Sequence, residues 1–259
     1  MLKTRVIPTL LWNGNSLVKG EGFDSWRTVG ALIPAIRVFN LRDVDELMLL
    51  DINATNANQD VDLSTVKDAA EVCSVPFTVG GGISSVETIK GLLHSGADKV
   101  AINSALYSNL DLLSEAAYRF GAQCIVASVD VRKNPDGQYV CYSHNGQKDT
   151  GLNPFEWVKK LEENGAGEIL INSIELDGTM NGYDINLIET ITDLVNIPVI
   201  ASGGAGKYSD FVDAVNVGQA SAVAAGAMFQ FTEQTPREAK NAMAENGIQV
   251  RTNNILGMV

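Results

Sequence analysis

Two glycine clusters carry the first chemical signal in this sequence. Gly80-Gly81-Gly82 and Gly203-Gly204-Ala205-Gly206 each close a short apolar run and precede a helix-length stretch. Uncovered backbone amides before a helix can hold an anion without any lysine. The apolar runs that follow end in Asn103-Ser104 and Ala225-Gly226, which would complete each cradle. Two such cradles at equivalent places point to a ligand with a phosphate at each end. Metal chemistry lacks raw material, because His94 and His144 stand far apart and Cys73, Cys124 and Cys141 form no pair at ligand spacing. No metal and no cofactor are expected.

The elements that must position these clusters are legible as eight apolar runs: 5–11, 46–51, 76–80, 98–103, 124–130, 168–173, 198–202 and 220–225. Near-continuous Val and Ile content marks strands buried on both faces, as in a parallel sheet covered by helices. Helix-length stretches lie between them, at 63–72, 85–94, 110–120, 154–164 and 185–195, with Ser84-Ser85 and Asp184 as capping-type residues. Asp136-Gly137 signals a hairpin after the fifth run. Eight βα units in 259 residues predict a single α/β domain, a (β/α)8 TIM barrel.

The second half also echoes the first. Residues 75–82 match 197–204 and 46–51 match 168–173, both at an offset of 122, while 6–11 match 125–130 at an offset of 119. Shared Pro and Gly-Gly positions go beyond ordinary barrel periodicity, so a two-fold duplication is expected, with half-barrels of about 1–122 and 123–259. Such a barrel offers equivalent sites on opposite sides of its C-terminal rim.

Composition limits the partners. A net charge of −12 repels phosphate backbones and anionic membranes, so no nucleic acid and no membrane partner is expected. No apolar run approaches the roughly 18 to 20 residues of a membrane span. A soluble, cytoplasmic protein with reduced cysteines is expected.

Residues 75–83, 96–103, 120–123, 165–170, 177–179, 182–184 and 197–206 together make the chain resemble the cyclase subunit of imidazole glycerol phosphate synthase. The resemblance implies a duplicated barrel that receives ammonia from a glutaminase subunit through its axis. There the ammonia splits and cyclises a bisphosphorylated ribonucleotide. It places Gly81, Gly82, Asn103, Ser104, Asp177, Gly178, Gly203, Gly204, Ala225 and Gly226 around the phosphates, and Asp51, Asn172 and Ser202 in the substrate pocket. Asp130 is the retained catalytic aspartate and Lys19 the retained substrate-contacting lysine. Leu11 stands where the family has the second aspartate, and leucine moves no proton. Ala101, Asn172 and Gly226 also depart from the family's usual hydroxyl residues.

At the other end of the strands, Arg5, Glu46, Lys99 and Glu168 match the family's ring of charges at the ammonia entrance, and Asp98 matches a residue facing the glutaminase. Asp51 and Asp177 are expected to orient Lys19 or substrate hydroxyls, with helix capping as the other reading. His144 reads as a solvated loop residue, and Trp12 and Trp26 as mouth or core residues.

The resulting expectation is a divergent ammonia-using barrel. It would bind a phosphorylated ligand, work as a heterodimer with a glutaminase, and serve sugar amidation in surface-polysaccharide biosynthesis beside a separate sugar amidotransferase. Three other readings stay open: a working synthase in histidine biosynthesis, a noncatalytic conduit and allosteric scaffold, and a phosphoribosyl isomerase.

Overall fold

A computed structural model describes residues 3–57 and 59–251. Eight parallel strands form the barrel: β1 Arg5–Trp12, β2 Leu47–Asp51, β3 Phe77–Gly80, β4 Lys99–Ile102, β5 Ile125–Lys133, β6 Glu168–Ser173, β7 Val199–Ser202 and β8 Ala222–Ala225. Each pairs with the next, and β8 pairs back with β1, so no barrel edge is left open. The helices are α1 Leu32–Leu41, α2 Leu63–Val72, α3 Val86–His94, α4 Asp111–Phe120, α5 Pro154–Glu163, α6 Ile185–Thr192, α7 Tyr208–Asn216, α8 Ala227–Phe231 and α9 Pro236–Glu245. The eight sequence-predicted strands and the five predicted helices all form, with ends moved by a few residues.

Strand pleating divides the apolar side chains between two cores. Ile7, Met48, Ala101, Val126, Leu170, Ile200, Ala222 and Ala224 fill the barrel interior. Val6, Leu10, Leu47, Leu49, Val79 and their neighbours face outward and pack beneath the helices. Side-chain caps start the helices at the predicted residues: Ser85 accepts from the Thr88 N–H and Asp184 from the Leu187 N–H.

The internal repeat extends to strand register. Leu11 pairs with Leu50 across β1 and β2 as Asp130 pairs with Asn172 across β5 and β6. Leu47 pairs with Phe77 as Ile169 pairs with Val199. Val79 pairs with Val100 as Ala201 pairs with Val223, and Ala101 pairs with Val126 as Ala224 pairs with Ile7. Each half therefore presents its side chains at matching heights.

Two antiparallel excursions rise from the C-terminal ends of the strands. The predicted Asp136-Gly137 turn forms, with the Gly137 N–H donating to Asn134 O, and returns β5 into strand Tyr139–Ser143. The other hairpin, Leu17–Glu21 against Asp24–Gly30, has no apolar run to announce it, because most of its second strand is exposed. It carries Lys19.

Close backbone approaches fix the lower end of the barrel. A Cβ added at Gly167 would lie 1.9 Å from Ala122 O, in the short turn that leads into β5. Gly167→Ala is expected to lower unfolding stability by about 2 kcal/mol, as for other overpacked sites, measurable by urea denaturation.

Candidate active site

A cavity of about 400 Å³ opens at the C-terminal ends of the strands. Lys19 enters it from the Leu17–Glu21 hairpin strand. Only 3% of the residue is exposed, and its Nζ lies 2.8 and 2.7 Å from the two carboxylate oxygens of Asp177, in the loop after β6. Burial of a lone ammonium would be costly, so this ion pair is what lets Lys19 sit inside. Glycine makes the approach possible. Gly178 has a φ of +79°, and a Cβ there would lie 2.0 Å from Gly20 O. The Gly22 N–H also donates to Asp177 O.

Asp130 projects from β5 into the same cavity and is 8% exposed. Asn103 Nδ2 donates to its Oδ2 at 2.7 Å. Burial, reinforced by the charge of Asp177, pushes the Asp130 carboxyl up to about 7, against the opposing hydrogen bonds from Asn172 and Asn103. That poises it to exchange a proton near neutrality. At the repeat-equivalent position Leu11, 7% exposed, lines the wall beside Leu50. One half of the mouth thus carries a carboxylate and an amide where the other carries two leucines. Thr9 Oγ1, Asn103 Oδ1 and Asn172 Oδ1 are buried without a hydrogen-bond partner, so a polar ligand would find three buried polar atoms to satisfy.

The glycine clusters lie where the sequence places them, after β3 and β7. Gly81 and Gly82 have φ of +103° and +64°, and Gly203 and Gly204 have +84° and +117°. Their would-be Cβ atoms meet Asp51 O at 2.1 Å, Gln59 O at 2.4 Å, Asn172 Oδ1 at 2.5 Å and Gly182 O at 2.0 Å. Not every amide is free, contrary to the simplest sequence reading. The Gly82 N–H donates to Thr55 Oγ1, and the Gly206 N–H is taken by Asp210, which sits in the first turn of α7. Asn103, Ser104, Ser202, Ala225 and Gly226 line the same cavity.

Asp51 needs correcting as an orienter of Lys19. It lines the cavity, but its Oδ1 accepts from the Asn53 and Ala54 N–H groups and so holds its own loop, leaving Asp177 to hold the lysine. Trp26 lines the mouth, whereas Trp12 packs against the outer core.

At the opposite end, four charges close a ring. Arg5 Nη1 lies 2.8 Å from Glu46 Oε2 and 3.1 Å from Glu168 Oε1, and Lys99 Nζ lies 3.0 Å from each of the same two residues. Glu46 is nearly fully buried, and its Oε1 also accepts from Thr78 Oγ1 at 2.6 Å. The apolar interior layer lies between this ring and the mouth. Asp98 is exposed, with Oδ2 accepting from the Phe77 N–H, so its carboxylate is partly committed to starting β3.

Residues 5–234 match the model of a family described as histidine biosynthesis protein. Two curated relatives, imidazole glycerol phosphate synthase subunit HisF from two strains of Caulobacter vibrioides, are each 43% identical over 258 residues, covering 99% of this chain and 99% of theirs. The chain belongs to the HisF-like cyclase family. Among the described residues of this family member, no group of acidic, histidine and cysteine side chains could hold a metal ion, and no helix is long and apolar enough to cross a membrane.

Two parts of this HisF-like mouth leave little mark on the sequence. The strand Leu17–Glu21 has no apolar/polar alternation to mark it, because its first four residues are all buried. His144 is half-buried in the cavity wall rather than a solvated loop residue, because the hairpin after β5 folds back over the mouth.

The raised Asp130 pKa gives a signed expectation. The native state holds a proton that the unfolded chain releases near its ordinary value of 3.8, so stability falls as pH rises from about 4 to about 7. Asp130→Asn is expected to flatten that slope and to be more stable than the parent at pH 8 by about 4 kcal/mol, with little gain at pH 4, as read by denaturant titration across pH.

Proposed function

We propose that this barrel takes ammonia from a glutaminase subunit through the charge ring and delivers it to a phosphorylated ligand held at the mouth. The proposal extends to divergence from the cyclisation reaction: the chain would serve amidation of sugars in surface-polysaccharide biosynthesis, with a separate amidotransferase acting on the sugar. The observation that carries this reading is Leu11 opposite Asp130. The ring below and the cavity above keep the parts a conduit needs, while a proton-transfer pair has lost one member. A positioned acid or base contributes on the order of 100 to 10,000-fold. In this reading Asp130 and Lys19 remain polar pocket residues, the glycine clusters bind phosphate, Asp98 lies at the partner interface, and the halves 1–122 and 123–259 derive from duplication.

A second reading has its own support. Identity of 43% across 99% of the length of relatives named as HisF favours a working synthase subunit, with water or a neighbouring residue covering for Leu11.

The two readings separate in one assay. The purified protein, given the bisphosphorylated ribonucleotide and ammonium salt, is expected to form imidazole glycerol phosphate at least about 100-fold more slowly than the Leu11→Asp variant. Equal turnover of parent and variant at a synthase-like rate would sink the divergent reading. Failure to activate or copurify with any glutaminase would count against the conduit itself.

A further inference from the structure

The two cradles differ in the positive charge available to them. Of the described residues lining the cavity, only Lys19 and His144 have side chains that can carry it. Lys19 belongs to the β8 side, since a Cβ added at Gly226 would lie 3.5 Å from its Cε, and its ammonium is already held by Asp177. Among the described residues, the β3–β4 side, with Gly81, Gly82, Asn103 and Ser104, has neither lysine nor arginine.

His144 is attached to that second side. Its backbone N–H donates to Ser104 Oγ at 2.9 Å, and its Nδ1 lies 3.0 Å from Ser143 Oγ. Nε2 makes no hydrogen bond with any described residue. The backbone conformation is costly for a residue with a side chain: His144 has a φ of +54°, followed by Asn145 at +55° and Gly146 at +73°. Packing supports it, because a Cβ on Gly146 would lie 2.9 Å from Phe23, at the tip of the hairpin that carries Lys19. The two hairpins meet over the mouth and hold His144 in its wall.

Other charges facing the cavity are Asp130 from β5, Asp51 from the end of β2 and the Lys19–Asp177 pair, and Lys148 and Asp149 follow on the same hairpin. Three carboxylates against one lysine leave the cavity short of positive charge for a dianion.

We propose that His144 is an anion-binding residue of the β3–β4 cradle, its imidazolium supplying on that side the positive charge that Lys19 supplies across the cavity. Phosphate is then gripped more tightly as the ring protonates. This rests on the phosphate-cradle reading above, and the experiment separates the two. Sulfate is the probe, because it remains a dianion between pH 5 and 8. The chain has two histidines, so imidazole NMR resolves both, and His94, exposed on α3 with Nδ1 at 2.8 Å from Lys90 O, is an internal reference.

Saturating sulfate is expected to raise the His144 midpoint by about 0.5 pH unit, which by reciprocity is about a threefold tightening on protonation, and to leave His94 unmoved. In His144→Gln the tightening of sulfate between pH 8 and 5.5 should shrink by about the same factor, the remainder reflecting Asp130. An unmoved His144 with shifting Gly81 and Gly82 amides would overturn this proposal and leave the cradles standing. If neither responds, both fall.

Discussion

Alternation of side chains along eight parallel strands is the constraint on which the rest of this molecule depends. Closing the sheet puts every second residue inside, and register stacks them at common heights. Arg5, Lys99 and Glu168 begin three strands and Glu46 directly precedes a fourth, so the four meet as one ring. The next height is apolar, with Ile7, Met48, Val126, Leu170 and Ile200. Thr9, Ser128, Asp130 and Asn172 come last and line the mouth. A one-residue slip in any strand would exchange its inner and outer faces. Both the ring and the site depend on that register.

Within the mouth, low dielectric sets the chemistry. Lys19 is tolerated because Asp177 meets its ammonium with both oxygens. The same Asp177 charge, added to burial, holds Asp130 near neutrality. Leu11 sits at the matching height in the other half without any such coupling. The two halves therefore share geometry and differ in electrostatics. Glycine acts through its missing side chain. Gly178 lets its loop meet the hairpin backbone at Gly20, and a side chain there would push Asp177 away from its lysine, while Gly20 lets the two hairpin strands close against each other at Asp24.

Much of the barrel was legible because both-face burial leaves a short-range mark. The runs at 46–51 and 168–173 are near-continuously apolar, and Ser85 and Asp184 cap helices through neighbours a few residues on. Asp51 was less legible, since an aspartate at a strand end reads alike whether it holds its own loop or a distant lysine. The strand Asp24–Gly30 escaped notice because it pairs on one edge over an open face and buries little. His144 was misplaced for the reverse reason: its turn residues read as solvent-exposed, and only the fold lays that turn against Phe23.

The amino-acid sequence by itself determined the eight strands, the repeat, the leucine at position 11 where the repeat has Asp130, and the presence of four charges at strand starts. Those features follow from local sterics, burial periodicity and residue identity. Tertiary structure decided which groups meet. Arg5 reaches Glu168 across 163 residues, Lys19 reaches Asp177 across 158, and His144 joins Ser104 across 40. Pairings at such separations depend on barrel closure and strand register, and a chain read locally offers each charge many partners of equal standing.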